Sequence, residues 1–225
     1  MDIVGGRTLR VAGVVGIASA LVAGIANLLL PVESEDVDYL VRIAESDTWP
    51  LLHVLIVAAV VGISASLVVF VRSLSAASTV ARDLALGALA VGTSLMLVAV
   101  GIAGTALRKR ADEWLVAAPE HNVATFFAAT STEDLAYAVY GVAFVVLLGV
   151  MPLAVGAALA SSGSQRRWLV VLSVVAGVFG LLAGFVQITV ETDTALLSVV
   201  ASTVVLVWTL AIGVVMWRSA TTETP

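Results

Sequence analysis

Long stretches of the chain carry no charged residue, and their lengths set the first expectation. Crossing a hydrocarbon core of ~30 Å takes about 20 apolar residues in a helix. Six runs of that length occur, over about 11–30, 51–71, 84–107, 135–160, 168–190 and 195–217, and none holds an Asp, Glu, Lys or Arg. The predicted fold is all-α: a polytopic membrane helix bundle in one domain, residues 1–225, with six transmembrane helices and short interfacial helices in the two long outer loops. Arg7 and Arg10 precede the first run as they would in a signal peptide, but its apolar stretch exceeds a signal h-region and reads as a retained span.

The polar connections carry patterns of their own. In PVESEDVDYLVRIAESDTWP, Val37, Leu40, Val41 and Ala44 recur at helical spacing opposite Glu35, Asp38, Arg42 and Glu45, between Pro31 and Pro50. This predicts a helix lying flat on the membrane, with Tyr39 and Trp49 at headgroup level. The stretches RKRADEWLVAAP and EHNVATFFAAT predict two further interfacial helices broken at Pro119, and Thr130-Ser131-Thr132-Glu133 predicts a capping box opening the fourth span. The connections RSLSAASTVAR and SSGSQRR are short polar turns without a phosphate-binding Gly pattern.

Composition sharpens the membrane reading. Hydrophobic residues make up 60% of the chain and charged residues 12%, a balance no single water-soluble core could hide. The lipid bilayer is thus the one partner the sequence implies directly. The absence of cysteine excludes disulfides and thiol chemistry, and a net charge of −5 argues against nucleic acid. The basic run Arg108-Lys109-Arg110 is followed at once by Asp112 and Glu113, so it reads as an interfacial anchor. With the amino terminus inside, Arg7, Arg10, Arg72, Arg82, Arg166, Arg167 and Arg218 are inner, against Arg42, Arg108, Lys109 and Arg110 outer; thirteen of sixteen acidic residues are outer. Retention of Arg and Lys on cytoplasmic loops therefore predicts cytoplasmic termini in a plasma membrane. Ten Arg against one Lys fits a prokaryote with a GC-rich genome or a halophile.

Within the spans the few polar residues are informative, because an amide or imidazole in hydrocarbon needs a partner. LVAGIAN, ending at Asn27, returns as LLAGFVQ, ending at Gln187, and both amides fall near the outer ends of their spans. His53, Tyr137, Tyr140 and Glu191 lie near the same level. Asn27, His53, Tyr137, Tyr140, Gln187 and Glu191 are therefore the candidate lining of a shallow outward-facing pocket for a small ligand or protein partner. Gly16, Ala20 and Gly24 in the first span, and Gly177, Gly180 and Gly184 in the fifth, form stripes that suit close helix packing. The simpler reading of each amide is as packing glue between helices. The spacing of the two segments also matches a parallel internal repeat, although Leu, Val, Ala and Gly resemble themselves by chance.

Catalytic chemistry finds little support. Two histidines, His53 and His121, fall short of a zinc hydrolase's usual ligands, and His121 sits among polar loop residues, unsuited to bis-His haem. No strand–turn–helix context supports a Ser nucleophile, and no span carries a mid-depth carboxylate for ion coupling. Neither cofactor nor metal is expected. The succession of an Arg-preceded span, SDTWPLLH, LRKRADEWLVAAP and RRWLVVLSVVAGVFGLLAGFVQ resembles small six-span prokaryotic membrane proteins grouped as a domain of unknown function. That resemblance implies the six-span layout and brings no activity, cofactor or catalytic residue. The expected function is non-enzymatic, with a small transporter or channel component, or a lipid-headgroup enzyme, as rivals.

Overall fold

The computed structural model describes residues 5–30, 36–74, 76–163, 166–189 and 195–219. These are helical almost throughout, with no strand among them. The helices are α1 (Gly6–Leu29), α2 (Asp36–Glu45), α3 (Trp49–Ser73), α4 (Thr79–Leu115), α5 (Asn122–Ser161), α6 (Arg167–Thr189) and α7 (Ala195–Ser219). All but α2 are long and apolar enough to cross a membrane. The chain is thus a multi-pass membrane protein, with both described ends on one side, here the terminal face, and α2 on the opposite loop face. Val54, Val61, Val91, Val171 and Leu182 are exposed, as side chains against lipid must be.

Two helices exceed what a bilayer needs. At ~1.5 Å per residue, the 37 residues of α4 and 40 of α5 outrun a ~30 Å hydrocarbon layer and project beyond it. The segments expected as separate interfacial helices are these projections: RKRADEWL continues α4, and Asn122 already belongs to α5. The turn between them does fall around Pro119. The expected capping box is likewise helix interior, where Thr130 and Thr132 donate to the carbonyls of Phe126 (3.3 Å) and Ala128 (2.7 Å). The sequence lacks any breaker between Asn122 and the fourth apolar run, so the helix simply starts earlier.

The expected flat helix also packs differently. Leu40 and Ile43 of α2 are fully buried with Tyr39 and Ala44, against Leu107 and Ala111 of α4 and Ala129 of α5. The projecting helices supply an apolar wall, so α2 leans on protein instead of lipid.

Both projecting helices contain a π-helical stretch, Ile102–Leu107 in α4 and Phe144–Val150 in α5. The second lies where α5 meets α6, and α5 is the central helix: 61% of its apolar window is buried, against 33–44% in the other spans. Along this crossing the backbones touch. A Cβ added to Gly184 would lie 2.7 Å from the Gly141 carbonyl oxygen, one on Gly177 would lie 2.8 Å from the Gly149 oxygen, and one on Gly180 would overlap the Leu148 carbonyl. About two turns further along α5, Gly156 faces Ser173. Next to this contact, the Trp208 indole of α7 donates to Ser173 Oγ (2.8 Å), and that hydroxyl donates to Leu169 O (2.8 Å).

The first stripe is used unevenly. A Cβ on Gly13 would lie 2.6 Å from the Gly213 carbonyl oxygen of α7, and one on Gly16 would touch the Ser66 hydroxyl of α3. Ala20 is buried, whereas Gly24 has only Leu206 Cδ1 at 3.6 Å and so tolerates a methyl group.

Backbone cannot retreat as a side-chain tip can, so Gly180→Ala should lower stability by about 1–3 kcal/mol. Gly24→Ala and Val175→Leu, the latter on an exposed face, should change it little. Melting of the three variants in detergent checks this; equal melting temperatures would remove the α5–α6 contact as a stability determinant.

Candidate functional site

The loop face contains two polar centres, separated by the bundle. The first is a latch between α3 and α4. Trp49 opens α3 next to Pro50, a residue suited to a first helical turn because its missing N–H would be unpaired there anyway. Its ring is buried, and Nε1 donates to Ala103 O at 3.1 Å. Ala103 lies in the π stretch of α4, where wider winding loosens the usual carbonyl pairing and leaves an oxygen available. Tyr39 meets the same indole edge-on, with centroids 6.4 Å apart. Arg108, one turn further along α4, donates to the Ser46 carbonyl and pairs with Asp112 at 3.3 Å, closing the α2–α3 connection over the cluster.

His53 is part of this latch. Its Nδ1 donates to Trp49 O at 2.9 Å, its ring lies 4.4 Å from the indole, and a Cβ on Gly104 would come within 2.7 Å of its Cβ and Cγ. A carbonyl can only accept, so Nδ1 carries the hydrogen. The imidazole is thereby held by its own helix and enclosed by Trp49 and Gly104, which makes it a packing residue.

The second centre lies where α5, α6 and α7 meet. Gln187 Cβ sits 3.3 Å from where a Gly141 Cβ would project, and Gln187 Nε2 donates to Ser198 Oγ of α7 at 3.0 Å. Its Oε1 is buried and finds no donor among the described residues. Tyr137 stands one turn before Gly141 on the same helix face, and Tyr140 packs edge-on to Phe144 (6.4 Å). Glu191 lies outside the described residues.

Asn27 does not join this centre. It is on the exposed side of α1, where its Nδ2 donates to Ala23 O at 2.8 Å. Helix α7 packs between α1 and α6, so the two amides the sequence pairs are kept apart. Asn27 tolerates its position because its own helix supplies the acceptor. The expected shared pocket thus divides: Gln187 with the Tyr137 face on one side, His53 in the Trp49 latch on another, and Asn27 alone.

The sequence reading missed Trp49, Gly104 and Ser198 as partners. Trp49 carried the clearest signal, since an indole beside a helix-opening Pro was read only as a headgroup anchor. The three mid-membrane hydroxyls at Ser64, Ser94 and Ser173 are each bonded: Ser64 to Thr93 (2.8 Å), Ser94 to Ala90 O (3.0 Å), and Ser173 to Leu169 O. Among the described residues no three His, Asp or Glu side chains converge on a metal position. No protein-family model, no curated protein and no solved structure matches the chain, so its residues take no role from a relative.

The Trp49 bond joins a buried donor to a buried acceptor, and removing one partner orphans the other. Trp49→Phe should therefore cost about 1–3 kcal/mol, well above a conservative aromatic exchange. Detergent melting measures it, and Trp114→Phe, whose Nε1 makes a longer, exposed bond to Asn122 (3.3 Å), should cost less.

Proposed function

We propose that the protein is a non-catalytic membrane protein that binds a small hydrogen-bond donor at its loop face, at the junction of α5, α6 and α7. The observation that carries this is Gln187 Oε1, a buried amide oxygen without a donor. Such an acceptor costs about 1–3 kcal/mol if nothing pairs with it, so an incoming N–H or O–H would recover that free energy. The sequence segments joining the spans at the loop face carry thirteen acidic residues against four basic ones, which favours a cationic donor, a small primary amine. Two features support the non-catalytic reading: His53 is enclosed within its latch, and the hydroxyls of Ser64 and Ser94 are bonded within the bundle.

Ligand binding stabilises the folded state in proportion to the logarithm of ligand concentration above its Kd. A short amine such as putrescine should raise the melting temperature of the purified protein, and Gln187→Leu should fold yet show no such rise. If no amine stabilises the native chain while Gln187→Leu melts higher, the oxygen is merely an unsatisfied structural group and the proposal fails.

The proposed orientation places the loop face outside a prokaryotic plasma membrane and both termini in the cytoplasm. It rests on seven Arg in the terminal-face segments against three Arg and one Lys in the loop-face segments. Because the native chain has no cysteine, Glu120→Cys in intact cells should react with an impermeant thiol reagent and Ser78→Cys should not. The reverse pattern would invert the protein.

A further inference from the structure

Two small-residue contacts, Gly16 on Ser66 and Gly62 on Ser19, join α1 to α3, and the antiparallel register carries Arg7 and Thr8 to the level of the end of α3. Between these helices runs a groove of about 380 Å³, with Arg7 and Thr8 at its mouth and Val11, Val15, Ala65 and Val69 along its length. It is an open furrow, so an occupant would lie along it instead of being enclosed. Ala12, Ala65 and Ser66 leave the space because each is too short to reach across, while Val11 and Val15 stand exposed at its edge.

The groove opens along two membrane-spanning helices, so the medium it meets is hydrocarbon, and its mouth lies where α1 begins. Arg7 is exposed and has no ion pair among the described residues. Thr8 adds a hydroxyl. Arg72, near the end of α3, stands close to the same level and raises the local positive potential. A cationic mouth on an apolar furrow matches one molecule of the bilayer in both parts: a phosphate needs the first and an acyl chain the second.

We propose that this groove binds one anionic phospholipid, with its phosphate at Arg7 and Thr8 and an acyl chain along Val11, Val15 and Val69. The site is at the opposite end of the bundle from Gln187 and independent of it.

The test is native mass spectrometry of the detergent-purified protein, titrated separately with phosphatidylglycerol and with phosphatidylcholine of identical chains. Phosphatidylglycerol should stay bound preferentially. Arg7→Gln should weaken its retention about fivefold, the effect of one basic residue on attraction to an anionic lipid. Arg7→Lys should largely keep it, and Arg42→Gln, at the loop face, should leave it unchanged. Ala65→Phe, at an exposed position that a ring can fill, should abolish it while melting normally. Equal retention of the two lipids, or unchanged phosphatidylglycerol retention in Arg7→Gln, would overturn the proposal. So would an inorganic phosphate adduct that Arg7→Gln removes and Ala65→Phe does not, since that describes an anion at a helix end and no lipid in the groove.

Discussion

Everything in this bundle hangs on the line where the backbones of α5 and α6 touch. Lipid tails are as apolar as leucine, so two helices in a membrane gain little from merely hiding apolar side chains from one another. They gain by coming closer than lipid could, through dispersion contacts and the interactions that short separations allow. Gly141, Gly149, Gly156, Gly177, Gly180 and Gly184 make that approach possible over several turns. The π stretch Phe144–Val150 sits in the middle of the crossing and presents the Leu148 carbonyl to Gly180. With α5 fixed to α6, α4 packs on the other side of α5, α7 on α6, and α1 and α3 follow at the periphery. Ser173 links the contact to the next helix, since it faces Gly156 while receiving the Trp208 indole.

The loop face is built on a second consequence of irregular winding. A carbonyl released in the π stretch of α4 would be costly in an apolar setting unless something donated to it. Trp49 does so, and its indole becomes the centre around which Tyr39, His53 and the face of α2 assemble. The latch therefore fixes α2, the start of α3 and the projecting part of α4 as one unit. His53 owes its burial to that assembly, and Gly104 is small because the imidazole lies against it.

How much of this was legible follows from what periodicity can carry. The six apolar runs each became one long helix, because length and the absence of charge are properties of a segment alone. The α6 stripe was legible for the same reason: Gly177, Gly180 and Gly184 share a face whichever helix covers it. Partner identity was not legible. Asn27 and Gln187 end similar stripes, but α1 turns to α3 and α7 while α6 turns to α5 and α7, and nothing local in either segment encodes that difference. Gly24 illustrates it further, since its spacing fits the stripe and yet only a leucine methyl group lies near. The projections of α4 and α5 were hidden by their own polarity. Charged residues beyond Leu107 look like a loop, but a helix leaving the membrane continues while its side chains suit water and no breaker intervenes before Pro119.

Depth decides where chemistry can reside in such a molecule. In its middle, hydroxyls close onto neighbours or onto their own backbone, as Ser64 with Thr93, Thr209 with Val205 and Ser173 with Leu169 do. At the ends, water and headgroups supply alternative partners, so incompletely paired groups are tolerated and are available for recognition. The two open groups discussed above, the Gln187 oxygen and the Arg7 guanidinium, are both found at such ends, one on the acidic face and one on the basic face. The two proposals follow this division, a cationic donor at the acidic loop face and an anion at the basic terminal face. On the two proposals, recognition would take place at the membrane surfaces and would be selected by charge before shape.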